Sequence, residues 1–294
     1  MPESILDLAR KRTVLLDGGL GSELFRHGFP TGGCPEAWNL ENPEAVMEIH
    51  RSYYEAGSDA VLTNSFGGSR IRLAEHGEEG RCYELNRAAA VLAGRVRPAG
   101  KYVGGSMGPT GKFLKPQGKH EEREFEESFA EQARGLADGG VDFLLVETQY
   151  DLREALCALR GARKSAAVPV FVTMTFKPVP RGFFTIMGDG VSKCLETLAG
   201  EGAPAVGANC TIGSEEMAGL VKAMRSATDL PIIAQANAGQ PGADARGRVV
   251  YSQTPEEYVA SLPLMVRNGA NVVGGCCGTT PDHIRLMADR LKIS

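Results

Sequence analysis

Two adjacent cysteines, Cys276 and Cys277, close the run Asn271-Val-Val-Gly-Gly275 and are followed by Gly278. A third thiol, Cys210, ends the run Ala205-Val-Gly-Ala-Asn209 in the same way. Three soft ligands without a fourth match a zinc site of the catalytic type, whose open position takes a substrate. A thiol bound there is deprotonated by the metal and becomes a nucleophile at neutral pH. Adjacent side chains on a regular strand point to opposite faces, so Cys276 and Cys277 need a turn in the backbone to reach one ion. Gly274, Gly275 and Gly278 supply the freedom for that turn. The alternatives for these residues are a small core side chain at Cys210, a vicinal disulfide at Cys276 and Cys277, and a closed structural zinc completed by His283, otherwise a helix-surface or pocket residue. Core packing gives no reason for consecutive cysteines among three glycines, which favours the metal. Cys34, Cys82, Cys157 and Cys194 have no partner spacing, and the last three fall in helical patterns as inert thiols.

The elements that must hold these thiols alternate along the chain. Short β-rich runs cover Val14–Gly19, Asp59–Phe66, Tyr102–Met107, Val141–Thr148, Pro169–Phe176, Ala205–Cys210, Pro231–Asn237 and Asn271–Cys277. Helical spacing follows at Pro43–Ala56, Arg81–Val96, Glu121–Ala137, Leu152–Ser165, Val191–Ala199, Ser214–Ala227, Pro255–Asn268 and Pro281–Leu291. Thr254-Pro255-Glu256-Glu257 carries an N-cap, a proline at the first helical position and a reciprocal glutamate. Thr280-Pro281 repeats the start, Ser214-Glu-Glu is a weaker version, and Gly57, Gly139-Gly140 and Gly269 mark helix ends. Eight strand-then-helix units with no linker predict a single α/β domain over residues 1–294, a (β/α)8 TIM barrel with the thiols at the C-terminal face of its strands. A doubly wound open sheet is the rival, but Gly19-Leu-Gly21-Ser-Glu-Leu24 lacks the third glycine of a dinucleotide loop. Gly111-Lys112 likewise lacks the glycine and hydroxyl residue of a P-loop, with Ser106 and Phe113 in those places. Irregular stretches at about 27–42, 67–80, 108–120, 177–190 and 238–252 follow strands and gather at the same face.

Composition narrows the class of ligand. A formal net charge of −4, from 32 Lys+Arg against 36 Asp+Glu scattered along the chain, lacks the basic stripe of a nucleic-acid binder. No apolar run reaches the roughly 18–20 residues of a membrane span, and the N-terminal residues lack a signal-peptide pattern. A cytoplasmic protein acting on a small molecule is expected. Seven cysteines, an odd number without framework spacing, fit a reducing compartment.

Several motifs together resemble the homocysteine S-methyltransferase family, including the homocysteine-binding module of cobalamin-dependent methionine synthase. They are Leu16-Asp-Gly-Gly-Leu-Gly21, Thr63-Asn-Ser-Phe66, Gly105-Ser-Met-Gly-Pro-Thr110, Asp142-Phe-Leu-Leu-Val-Glu-Thr148, Gly207-Ala-Asn-Cys210, Ala236-Asn-Ala-Gly239 and Gly274-Gly-Cys-Cys-Gly-Thr-Thr-Pro-Asp-His-Ile284. The resemblance implies one Zn2+ per chain on Cys210, Cys276 and Cys277, with the sulfur of L-homocysteine on the ion. It places the amino-acid end of the substrate near Asp17 and Glu147, and its carboxylate on the backbone of Gly18, Gly19, Leu20 and Gly21. A carboxylate at a strand end is a natural partner for an α-ammonium group. Asn64, Ser106 and Asn237 join as pocket residues, although loop and turn chemistry also accounts for them.

The implied reaction is methyl transfer to the homocysteine thiolate, giving methionine. No Asp-x-His-x-x-Gly cobalamin motif occurs, so a methyl-corrinoid would arrive on a separate protein. The stretch Gly278-Thr-Thr-Pro-Asp-His283 is similar to the methionine-synthase branch and favours that donor over S-methylmethionine, S-adenosylmethionine or betaine. Another thiol as acceptor, or a non-enzymatic structural-zinc or vicinal-disulfide redox protein, are the remaining alternatives.

Overall fold

Eight parallel strands run through the computed structural model: β1 (Val14–Leu15), β2 (Ala60–Leu62), β3 (Tyr102–Met107), β4 (Phe143–Gln149), β5 (Val170–Met174), β6 (Val206–Asn209), β7 (Ile232–Ala236) and β8 (Ala270–Gly275). The structure describes residues 3–244 and 249–292. The strands form one sheet in the order β1-β8-β7-β6-β5-β4-β3-β2. Its two ends, β1 and β2, meet across a seam. There Asp59 N–H donates to Leu15 O at 2.7 Å, Leu15 N–H to the Asp59 carboxylate at 3.0 Å, and Leu62 N–H to the Asp17 carboxylate at 2.8 Å. With the seam bridged, the sheet is a nearly closed (β/α)8 barrel. Helices α1 (Pro43–Glu55), α2 (Cys82–Arg95), α3 (Glu122–Asp138), α4 (Leu152–Ser165), α5 (Val191–Gly200), α6 (Ser214–Arg225), α7 (Pro255–Ala260), α8 (Leu262–Arg267) and α9 (Pro281–Lys292) follow the strands.

The two-residue period of a strand divides the core. Val14, Leu16, Ala60, Leu62, Phe143, Leu145, Phe171, Ala205, Ile233 and Val272 fill the barrel, and Ile5 and Ala9 of the helix Ile5–Lys11 plug its lower end. Their strand neighbours Leu15, Val61, Leu144, Val146, Val172, Val206, Ile232 and Val273 pack outward against helices. Phe143 and Phe171 stack inside the barrel with ring centroids 5.1 Å apart. A Cβ at Gly104 would lie 2.3 Å from the Phe143 ring, so glycine there makes room for the stack. Outside, α3 shows the matching helical logic: Phe125, Ser128, Phe129, Gln132, Ala133 and Leu136 recur at three and four residues and are buried. Truncating such a phenylalanine costs about 3–5 kcal/mol.

Helix ends follow the sequence in most places. Thr254 Oγ1 accepts from Glu257 N–H at 3.3 Å while the Glu257 carboxylate accepts from Thr254 N–H at 2.8 Å. Gly57, Gly140 and Gly269 take positive φ of 110°, 95° and 107° at the predicted helix ends. At α6 the cap lies one residue earlier than expected: Gly213 precedes the helix, and its N–H donates to Glu216 at 3.1 Å. The predicted helix 255–268 is two helices, because Pro263 cannot supply the N–H that would continue α7, and Ser261 caps one and opens the other.

Two loops expected to be irregular contain hairpins, Lys177–Val179 with Gly182–Phe184 and Pro241–Ala243 with Val249–Tyr251. Residues 245–248 of the predicted 238–252 loop lie outside the described residues. Short helices also occupy parts of 27–42 and 67–80, at Trp38–Glu41 and Arg70–Leu73. The first two predicted strands are shorter in the sheet, since side chains and single backbone bonds, not a ladder, bridge the seam between them. Among the described residues, no helix is long and apolar enough to cross a membrane.

One buried group bears on stability. His50 in α1 is fully buried, neither ring nitrogen has a partner, and burial pushes its pKa down to about 4. The folded value lies below the unfolded one, so stability is fully present above about pH 6.5 and falls as pH drops toward 4. We expect His50→Leu to lessen this loss. Its stability advantage over wild type should grow by up to about 3 kcal/mol between pH 7 and pH 4 in denaturant titrations; equal pH dependence of the two proteins would refute the assignment.

Candidate metal and thiol site

Continuing the inward register of each strand by two residues leads from the apolar core to a polar layer at the C-terminal mouth. Leu62 leads to Asn64, Phe143 and Leu145 to Glu147, Phe171 to Thr173, Ala205 through Gly207 to Asn209, and Val272 through Gly274 to Cys276. Asn64, Ser106, Glu147, Thr173, Asn209 and Asn237 are all buried there. Parity alone would turn Cys210 and Cys277 outward with Ala208 and Gly275.

Local backbone distortion brings them back. Asn209 is the last residue of β6, and Cys210 and Thr211 then take positive φ of 62° and 71°, a left-handed conformation that costs non-glycine residues about 1–2 kcal/mol each. Cys210 N–H is held by Gln235 O at 2.9 Å. β8 ends at Gly275, and Cys276 and Cys277 lie in the turn beyond it. Cys276 N–H donates to Ala236 O at 2.8 Å, and Cys277 O accepts from Ala238 N–H at 3.0 Å.

The glycines around the pair act mainly through close approach, a role different from the flexibility expected of them. A Cβ at Gly275 would lie 2.1 Å from Thr279 Oγ1, and one at Gly274 would lie 2.9 Å from Leu16 Cβ. Gly278 alone of the three has a positive φ, 82°, and a Cβ there would meet the Tyr251 ring at 2.2 Å.

The three sulfurs lie within 4.8 Å of one another, with Cys210 Sγ and Cys277 Sγ 4.0 Å apart. Three thiolates at about 2.3 Å around a tetrahedral zinc sit about 3.8 Å from one another. The arrangement therefore fits such an ion after a small contraction. Among the described residues this is the one group of three or more potential ligands this close, and His283 is not in it. His283 is instead buried at the start of α9, where its Nδ1 accepts from Thr280 N–H at 3.2 Å and its ring stands edge-on to Tyr258. Sharing of protons among the three thiols, first with Cys210, lowers the Cys277 thiol and raises that of Cys276. By contrast, burial pushes Cys34, Cys82, Cys157 and Cys194 up to about 12. The clustered thiols differ from the other four in lying within reach of one another.

The two acids expected to meet an ammonium group are both buried. Asp17 Oδ2 bridges the seam through Leu62 N–H, while Asp17 Oδ1 has no partner, and burial holds this carboxyl well above its ordinary pKa. Glu147 accepts from Ser106 Oγ at 2.5 Å and from Asn209 Nδ2 at 3.0 Å, and burial raises it to about 7. It sits at a bulge: Val146 pairs with Val172 and Gln149 with Met174, leaving an extra residue on β4, and Thr148 takes a φ of 60°.

The remaining predicted residues fall around the same mouth. The Asn64 amide donates to Pro35 O at 2.7 Å and Asn39 Oδ1 at 3.1 Å, tying the loop that carries Trp38 to the end of β2. Asn237 Oδ1 is buried without a partner, close in the chain to Ala238, which bonds Cys277. Gly19 N–H is committed to Thr279, at 3.2 Å from its O and 3.0 Å from its Oγ1. A Cβ at Gly18 would meet Thr279 and Tyr53, whereas one at Gly21 would touch nothing within 4 Å. Leu20 begins the short helix Leu20–Arg26.

Asn209, Thr148 and Tyr251 were not foreseen as site residues. Asn209 was legible in principle, since it shares the inward parity of Ala205. Tyr251 packs against Gly278, next to Cys277, from a hairpin that has no such periodic guide.

Comparison with known proteins places this arrangement. The family described as Homocysteine S-methyltransferase matches residues 14–291. The methionine synthases of Mycobacterium leprae (strain TN) and Mycobacterium tuberculosis (strain ATCC 25618 / H37Rv) are 33% and 32% identical to the chain. Each alignment takes in 97% of this chain and 25% of the relative, so the chain spans about a quarter of the length of the curated relatives it matches. Among solved structures, the metallated homocysteine methyltransferase MmuM from Escherichia coli superposes with a TM-score of 0.79 at 24% identity, covering 96% of this chain and 98% of that one. A methyltransferase from Methanosarcina mazei gives a TM-score of 0.65 at 10% identity, covering 98% and 97%. These two structures bear on the fold alone. A family match that runs from β1 into the last helix, with relatives a third identical over nearly the whole chain, establishes that the chain belongs to the homocysteine S-methyltransferase family.

Proposed function

We propose that residues 1–294 form a single catalytic domain that transfers a methyl group to the thiolate of L-homocysteine, giving methionine, with one Zn2+ on Cys210, Cys276 and Cys277. The observation that carries this reading is the set of three sulfurs within 4.8 Å, joined among the described residues by no His, Asp or Glu. Bound there, zinc would hold a substrate thiol as its thiolate at neutral pH.

The chain's own groups account for the rest of the substrate. Asp17 Oδ1 is a buried acceptor without a donor, and Glu147 is a buried carboxyl whose ionised form is disfavoured by burial. An α-ammonium group between them satisfies the first and offsets the desolvation of the second. Ser106 fixes one oxygen of Glu147, so the acid is oriented before substrate arrives. The carboxylate of the substrate falls to the turn Gly18–Gly21. Gly19 N–H is already occupied by Thr279, so the open space at Gly21 is the better receiving point, with Leu20 lining it. Asn237 offers a free oxygen to the pocket, and Asn64 supports its wall through the Trp38 loop. The methyl group moves in line from donor to sulfur, the donor's bond to carbon breaking as the sulfur–carbon bond forms.

We assign the donor as a methyl-corrinoid carried on a separate protein, which meets the cytoplasmic domain at the barrel mouth. The stretch Gly278-Thr-Thr-Pro-Asp-His283, similar to the methionine-synthase branch, supports this choice over S-methylmethionine or S-adenosylmethionine.

Three outcomes are expected. Cys210→Ala and Cys277→Ala should lose zinc by metal analysis, and methionine formation should fall at least about hundredfold; either variant lacking zinc yet working at the wild-type rate would sink the mechanism. Glu147→Gln should keep its zinc but raise KM for homocysteine about 10–100-fold, the worth of one charged hydrogen bond. Parallel assays with methylcobalamin, S-methylmethionine, S-adenosylmethionine and betaine should give methionine with methylcobalamin; activity with betaine alone would overturn the donor assignment.

A further inference from the structure

Asn209 is fully buried between the acid expected to hold the amino group and the thiols. Its Oδ1 accepts from Thr148 N–H at 2.7 Å and from Thr173 Oγ1 at 2.8 Å. Because a backbone N–H can only donate, Oδ1 must be the atom on that side, and the amide has one orientation. Its NH2 therefore faces Glu147 Oε2 at 3.0 Å, Thr148 Oγ1 at 2.7 Å and Cys276 Sγ at 3.9 Å. An amide nitrogen has two N–H groups, and here they meet three acceptors. The two oxygens are the near ones, so Cys276 receives the weakest share.

We propose that Asn209 is a positioning residue that couples the two ends of the substrate site. An ammonium group that takes Glu147 Oε2 draws that oxygen away from Asn209, and the released N–H turns to Cys276. Occupation of the amino-acid end is thereby felt at a thiol of the metal site, where an N–H···S bond withdraws electron density from the sulfur. The strained φ of Thr148 has a role in the same network, since it presents both its N–H and its hydroxyl to one amide. The inference rests on the reading of the three cysteines as a metal-dependent homocysteine site.

Its test uses the cobalt(II)-loaded full chain, in which the thiolate-to-cobalt absorption band reports the sulfurs directly. Asn209→Asp keeps both bonds accepted by Oδ1 but replaces the NH2 with an oxygen. The band should move to longer wavelength, and KM for homocysteine should rise about 10–100-fold. Thr148→Gly removes one competing acceptor, tolerates the positive φ, and leaves more of the NH2 for Cys276, so its band should move to shorter wavelength. Opposite shifts are not expected from loosened packing. Wild-type protein that takes up no cobalt overturns both the site reading and this inference. Cobalt uptake by wild type, with Asn209→Asp matching its band and having KM within twofold, overturns the coupling alone. Should Asn209→Asp fail to fold, Thr148→Gly decides: an unshifted band overturns the proposal.

Discussion

The two-residue period of a strand, imposed on eight parallel strands that close on themselves, is the constraint from which the site follows. Inward positions must be apolar while they face one another in the middle of the barrel, as Leu62, Phe143, Leu145, Phe171 and Ile233 do. At the last inward position the barrel opens, and the same register delivers Asn64, Ser106, Glu147, Thr173, Asn209 and Cys276 to one mouth. Core and site are thus successive layers of one pattern. Asp17 belongs to both: its carboxylate helps bridge the β1–β2 seam and leaves one oxygen without a partner.

Where chemistry departs from the register, the backbone is distorted. Cys210 and Cys277 have the wrong parity, and a left-handed residue in one case and a turn in the other bring their sulfurs inward. Thr148 and Thr211 add two more left-handed residues at the same mouth. Such conformations cost about 1–3 kcal/mol each and persist where surrounding bonds over-determine them. Asn209 and Gln235 provide those bonds here, to Thr148 and Cys210 respectively. The arrangement resembles a rigid frame with its irregularity concentrated at one end.

Much of this frame is visible in the amino-acid sequence because alternation and helix caps are local. The eight units, the glycine helix ends and the Thr254 cap are each legible within a few residues, and the three clustered thiols stand at the ends of such units. Other features depend on contacts distant in sequence. The glycines around Cys276 suggested flexibility, whereas Thr279, Leu16 and Tyr251 show them to be points of close approach. His283 carried no mark of its capping role with Thr280, and the split at Pro263 was hidden by an otherwise continuous helical pattern. The ribbons at 177–184 and at 241–243 paired with 249–251 carry no such signal, because exposed two-stranded ribbons bury too little to impose an alternation.

The pairing of β1 with β8 joins Val14 to Val272 and makes one wall of the barrel from its two most distant strands in sequence. Cys276 and Cys277 stand immediately after that last strand, while Asp17 stands two residues past the first. A chain emerging from the ribosome therefore holds Asp17, Glu147 and Cys210 long before it can assemble them. During synthesis, Cys210 is a lone thiol, and the three-sulfur site arises only when β8 docks beside β1. The three-sulfur cluster is in this sense a mark that the barrel has closed.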